Sequence, residues 1–171
     1  MEELHLVTMV VHRVTREPLA VLADAAEDRC LVVAVRRPQA EIMAAGPHPT
    51  RDDDARLTQD VVADVAAALG RFLTGAEITD LVDERFRAEL RLDDGTKVPV
   101  RPSDALAVAI RDALPITVAD HVMAEAGQSW RELQGDEPHP QSVEVDEMRA
   151  FLDQVTPDDF RAEDGDGGDG R

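Results

Sequence analysis

Residues 86–118 read FRAELRLDDGTKVPVRPSDALAVAIRDALPITV, and they hold a hairpin, a helix and a strand in direct succession. Phe86 to Leu92 and Lys97 to Val100 alternate as strands do, and Asp93-Asp94-Gly95-Thr96 between them carries the Asp-Gly pair that favours a hairpin turn. Pro102-Ser103-Asp104 then opens a helix in which Leu106, Ala109, Ile110 and Ala113 recur at helical spacing. Pro115 stops that helix because it supplies no backbone N–H, and Ile116 to Val118 is extended again. A strand pair followed by a helix that leads into another strand predicts the α+β class.

Working outward, residues 4–14 alternate as a strand, with Leu4, Leu6, Thr8 and Val10 on one side and His5, Val7, Met9 and Val11 on the other. Glu17-Pro18 breaks the chain. Leu19 to Leu22 and Leu31 to Val35 follow as a hairpin or meander, the second run apolar on both faces and so expected to be central. Pro38 starts a short helix that ends at Gly46, and Gly46 to Asp54 reads as a loop. Thr58 is placed to cap a helix with Asp60 in its first turn, and Val61, Val62, Val65, Ala66, Leu69, Phe72 and Leu73 share one stripe that ends at Gly70 or Gly75. Ala76 to Val82 is a strand, and a last helix ends near Gly127. The expected architecture is a mixed sheet of about six or seven strands packed with about four helices, over residues 1–130. Residues 131–142 read as a linker with Pro138 and Pro140. Residues 143–160 read as an appended helix bearing Val143, Met148, Phe151, Leu152 and Val155, then a capped turn. Residues 161–171 read as a disordered Gly/Asp tail.

Charge narrows the function classes. Across 171 residues, 36 acids face 18 bases for a formal charge of −18. Residues 131–171 hold 13 acids and 4 bases, net −9, so half of the excess lies outside the expected domain. No uncharged apolar run approaches the roughly 18 residues of a membrane span, so no membrane association is expected. The acidic start, Met1-Glu2-Glu3, is not read as a signal peptide, and the expected compartment is the cytoplasm. Cys30 is the single cysteine and is expected to be inert core. An acidic surface with five aromatics and no Tyr excludes broad capture of DNA or RNA and leaves weak contact at a local Arg-bearing site.

Two helix starts carry the chemistry. Arg56-Leu57-Thr58-Gln59-Asp60 and Arg101-Pro102-Ser103-Asp104-Ala105 each combine a cation, a hydroxyl and a carboxylate where backbone N–H groups are free. Arg suits phosphate oxygens, and Asp can hold Mg²⁺ or Mn²⁺ or orient a water. The same residues also read as purely structural: Ser103 or Thr58 caps the helix, the acids favour its dipole, and Arg101 pairs with one of them. Asp52-Asp53-Asp54 reads as a solvated acidic loop. The five histidines (His5, His12, His48, His121, His139) are too scattered for a metal site.

Arg101-Pro102-Ser103-Asp104-Ala105-Leu106-Ala107-Val108-Ala109-Ile110-Arg111 and Leu114-Pro115-Ile116-Thr117-Val118-Ala119 resemble the bifunctional nuclease (DNase/RNase) domain family. Leu57-Thr58-Gln59-Asp60 resembles its Thr-His-Asp helix start, and Leu31 to Val35 with Gln39-Ala40 its third strand and Glu-Ala helix. The resemblance covers roughly residues 4–127, and residues 143–160 resemble an extension of actinobacterial members. It implies an α+β fold, a homodimer or higher homo-oligomer, and a metal-assisted nuclease. Asp60, Asp104, Arg101 and Ser103 would be catalytic, with Asp60 and Asp104 holding Mg²⁺ or Mn²⁺ and no other cofactor. Pro99, Gln59 and Gln39 stand where the family has Asp, His and Glu, each removing a titratable group. The alternative is a non-catalytic regulatory module that binds an anion or a partner on the same fold.

Overall fold

A computed structural model describes residues 1–26, 28–47 and 57–134. Its sheet is made of two antiparallel meanders: β1 (Glu2–Val11), β2 (Pro18–Ala23) and β3 (Arg29–Ala34), then β4 (Leu73–Val82), β5 (Arg85–Leu92) and β6 (Lys97–Val100). The three residues of β7 (Ile116–Val118) join them, antiparallel to β1 through Leu4↔Ile116 and parallel to β4 through Ala76↔Ile116. β8 (Gln128–Ser129) pairs with the outer edge of β3 and completes the order β6-β5-β4-β7-β1-β2-β3-β8. The α+β class and mixed sheet are as read from the sequence, with one strand more than expected. Two residues are too few for β8 to show an alternating pattern. Leu31 to Val35 lies one place from the edge, and the centre belongs to β7 and β1.

Alternation sorts the core except in β1, where a bulge between Leu6 and Thr8 shifts the register. Leu4 and Leu6 therefore share a face with Met9 and Val11, and not with Val10 as read from the sequence. Leu4, Met9, Ala20, Leu22, Leu31, Val33, Ala76, Ile78, Ala88, Leu90, Ile116 and Val118 face α1 (Arg37–Ala45), α3 (Pro102–Arg111) and α4 (Asp120–Ala126) in one cluster. On the opposite face of β1–β3, Val10, Val21, Ala23 and Cys30 form a smaller cluster beneath Trp130, the first residue of α5 (Trp130–Gln134). Cys30 is fully buried there and its Sγ donates to Gln128 O at 3.4 Å. Burial, with the Asp24 charge adding to it, pushes the thiol up to about 11, in keeping with an inert core position.

α2 (Thr58–Ala68) departs from the core pattern: only Asp60 and Ala66 are buried. It ends where Gly70 takes a left-handed backbone (φ 72°). Gly75 is instead a β4 residue, where a Cβ would meet Pro115 O at 2.9 Å. Among the described residues no helix is long and apolar enough to cross a membrane. The acidic run Asp52-Asp53-Asp54, the linker from residue 135, the appended helix and turn at 143–160, and the tail at 161–171 lie outside the described residues.

Candidate functional site at the start of α3

The helix start at 101–104 is built by backbone geometry. Arg101 is extended (φ −71°, ψ 146°) and serves as the N-cap, because Pro102 suits the first helical position. That makes Ser103 the second residue of the helix, where it is buried and caps nothing. Asp104 follows in the first turn. Its Oδ2 accepts a 2.8 Å bond from Arg101 Nε, and its Oδ1 accepts one of 2.8 Å from Gln39 Nε2 on α1. The expected Arg101–acid pair is therefore present, and Asp104 also ties α1 to α3. Arg101 is 59% exposed, and its Nε makes the bond to Asp104. Among the described residues Gln39 Oε1 is buried without a hydrogen-bond partner.

Asp60 sits elsewhere and does something else. Its Oδ2 accepts the N–H of Leu57 at 2.8 Å, which makes Leu57 and not Thr58 the N-cap of α2. The same carboxylate takes a two-pronged contact from Arg111, Nε to Oδ1 and Nη2 to Oδ2 at 2.7 Å. Asp60 is 1% exposed and Arg111 6%. Arg111 lies in the last turn of α3 and Asp104 in the first. Seven residues at 1.5 Å per residue separate those two α3 positions by roughly 10 Å along the axis. The structure thus joins Arg101 with Asp104 and sends Asp60 to the far end of the helix.

Sequence reasoning missed two members of these networks. Gln39 was visible only as a replaced Glu. Arg111 had one signal: it lies four residues after Ala107, on the inward side of a helix that buries seven of its ten residues, where a cation needs an acid.

The sequence profile described as "Bifunctional nuclease domain" matches residues 20–131. The chain belongs to the bifunctional nuclease domain family. It is also 36% identical over 168 residues to two proteins of Mycobacterium tuberculosis, "Uncharacterized protein MT1877" of strain CDC 1551 / Oshkosh and "Uncharacterized protein Rv1829" of strain H37Rv. Each similarity covers 95% of this chain and 99% of the relative, so it runs beyond the bifunctional nuclease domain into the segment after residue 131.

A divalent metal held jointly by Asp60 and Asp104 does not fit this bifunctional nuclease domain. Mg²⁺ and Mn²⁺ need several free oxygen ligands. Each carboxylate here already accepts from an Arg, and among the described residues no three His, Cys, Asp or Glu side chains converge on one point.

Proposed function

We propose that the chain acts on the phosphodiester backbone of DNA or RNA at the start of α3. The observation that carries this is the exposed Arg101 guanidinium, fixed through Nε by Asp104, which is fixed in turn by Gln39. A guanidinium held at one nitrogen presents its other donors in a planar fork that matches two phosphate oxygens. The free N–H groups of the first α3 turn add positive potential at the same place. Each Asp104 oxygen accepts one bond and keeps a second lone pair, so with Arg101 still in place the carboxylate can take a proton from a water attacking phosphorus. The P–O bond to the departing sugar oxygen breaks as this happens, and that oxygen takes a proton from solvent. Asp60 contributes stability only, and buried Ser103 supports the helix start. The charge of −18 keeps the contact local, weak and salt-sensitive.

A second reading is binding without cleavage. It is favoured by the engagement of both Asp104 oxygens, each of which already accepts from a side chain, Gln39 or Arg101. One experiment separates the two: cleavage of labelled DNA and RNA oligonucleotides, with Mg²⁺, Mn²⁺ or a chelator, beside anisotropy measurements of binding. Hydrolysis predicts a loss of roughly 100-fold or more in Asp104→Asn, the usual scale for a proton-handling group. Unfolding free energy should change by about 1 kcal/mol or less, because the pair is exposed. Binding that falls in Arg101→Ala with no cleavage under any condition decides for the second reading. Cleavage unchanged in both variants removes the site.

A further inference from the structure

Six of the eleven large apolar side chains exposed among the described residues fall between Leu57 and Phe72, on or beside α2. Val61 is 49% exposed, Val65 53%, Leu69 76% and Phe72 64%, and such a concentration along one helix marks an interaction surface. The acids of α2 stand off the middle of it. Asp60 turns inward onto Arg111. Asp64 is partly exposed, but it neighbours Val65 in sequence and so lies about 100° round the helix from it, at the border of the stripe. Nothing in the chemistry at the start of α3 uses this surface.

The spacing of the stripe fits a second copy of the chain. Counted from Val65, Val61 lies four residues before and Leu69 four after, while Leu57 lies eight before and Phe72 seven after. A two-fold axis at Val65 lays two α2 helices antiparallel, with Val61 of each copy against Leu69 of the other and Val65 against Val65. Near such an axis every group meets its own kind, so a charge there would face a like charge and an apolar side chain is tolerated. Net charge points the same way. Two chains of −18 repel each other, and a stripe with its one acid at the border is where they can approach. The six side chains leave on the order of 500 Å² of apolar surface in water on each copy. A standard interface buries about 800 Å² per partner, so the stripe and its rim suit a weak dimer with Kd on the order of micromolar.

We propose that two copies of this chain pair through antiparallel α2 helices about a two-fold axis at Val65. Analytical ultracentrifugation of the full chain tests it, with circular dichroism to check that each variant keeps its fold. The mean mass should rise from one chain towards two between about 1 and 100 µM protein. Raising NaCl from about 0.05 to 0.5 M screens the repulsion between acidic copies and should lower the dissociation constant severalfold. Val61→Glu with Val65→Glu, both at exposed helical positions, should weaken association at least roughly tenfold, because each buries a charge against the other copy. Val14→Glu, at a position 79% exposed and away from α2, should leave association unchanged. A second measurement does not depend on those variants. Cys30 is fully buried, so an introduced thiol reports alone. Val65→Cys should cross-link two copies under mild oxidation, and Val14→Cys at the same concentration should not. A wild type that stays a single chain at about 100 µM in about 0.5 M NaCl overturns the proposal. So does a dimer that persists in Val61→Glu with Val65→Glu, one that salt weakens, or one in which Val65→Cys fails to cross-link.

Discussion

α2 and α3 start alike and are used in opposite ways. Each follows an extended residue that has no capping side chain, and each carries an aspartate at its third position, Asp60 or Asp104. α3 buries seven of its ten residues and keeps its aspartate partly in solvent, whereas α2 buries two of its eleven and one of those is the aspartate. The difference comes from what each helix packs on. α3 lies against the sheet, where Ala105, Ala107 and Ala109 are small enough to let its backbone approach. α2 lies against α3 and is pinned to it by the Asp60–Arg111 pair. A carboxylate at the third helical position is therefore no guide to function by itself. Exposure separates the two: solvent reaches Asp104 and not Asp60.

The hardest test of that contrast is to break the pin. Removing one member of a buried ion pair strands the other charge in a poorly solvating interior, at a cost of about 3–5 kcal/mol. Arg111→Met should lower the unfolding free energy in urea by that amount. Pairing it with Asp60→Leu should recover much of the loss, because no unpaired charge then remains. Equal loss in the single and double variants would mean that the pair acts through shape and not charge.

A second contrast compares the two stripes directly. Leu106 is fully buried on α3 and Leu69 is 76% exposed just past α2. Leu106→Ala should cost about 2–5 kcal/mol through lost contacts and a residual cavity. Leu69→Ala should cost about 1 kcal/mol or less in the same measurement. A Leu69→Ala loss as large as that of Leu106→Ala would show that the α2 stripe is a core element.

These contrasts also mark what could be read in advance. The strands and the 93–96 hairpin were legible because alternation and an Asp-Gly turn are local properties. The α3 stripe was legible for the same reason, whereas the end of α2 was left between Gly70 and Gly75, and Phe72 and Leu73, read as part of its stripe, lie beyond the helix. The direction in which the α2 stripe faces was not, since periodicity identifies a stripe and says nothing of what covers it. Thr58 and Ser103 looked like caps because their hydroxyls suit that position. The helices start one and two residues earlier, at Leu57 and Arg101, where Asp60 and Pro102 fix the geometry. The left-handed Ala113 (φ 53°) after α3 had no signal at all, because such a backbone normally calls for glycine. At the candidate site, Arg101 and Asp104 were legible as neighbours in sequence. Gln39 and Arg111 depend on how α1 and α2 meet α3, a long-range fact that no local window contains.

The smallest expected effect concerns how the chain leaves α2. Arg71 and Phe72 are fastened to the β5–β6 turn. The Phe72 N–H donates to Asp93 Oδ1 at 3.0 Å, and Arg71 Nε lies 3.2 Å from Asp94 Oδ2. Hydrogen bonds from the Thr96 backbone N–H and hydroxyl, with the Arg71 charge adding, hold the Asp94 carboxyl below its usual range. A carboxyl lowered on folding stabilises the fold fully above its unfolded pKa, about 3.9, and loses that contribution as pH falls through the folded value. The urea midpoints of the wild type and Asp94→Asn should therefore differ by a small, constant amount above about pH 5 and converge below about pH 4. Leu106 holds α3 on the sheet by apolar packing, so Leu106→Ala should shift the midpoint equally across the same range. Parallel pH profiles for the wild type and Asp94→Asn down to pH 3 would mean that the exit of α2 is held by the Asp93 and backbone contacts alone. Convergence would show that the less buried helix is also the one whose anchoring depends on pH.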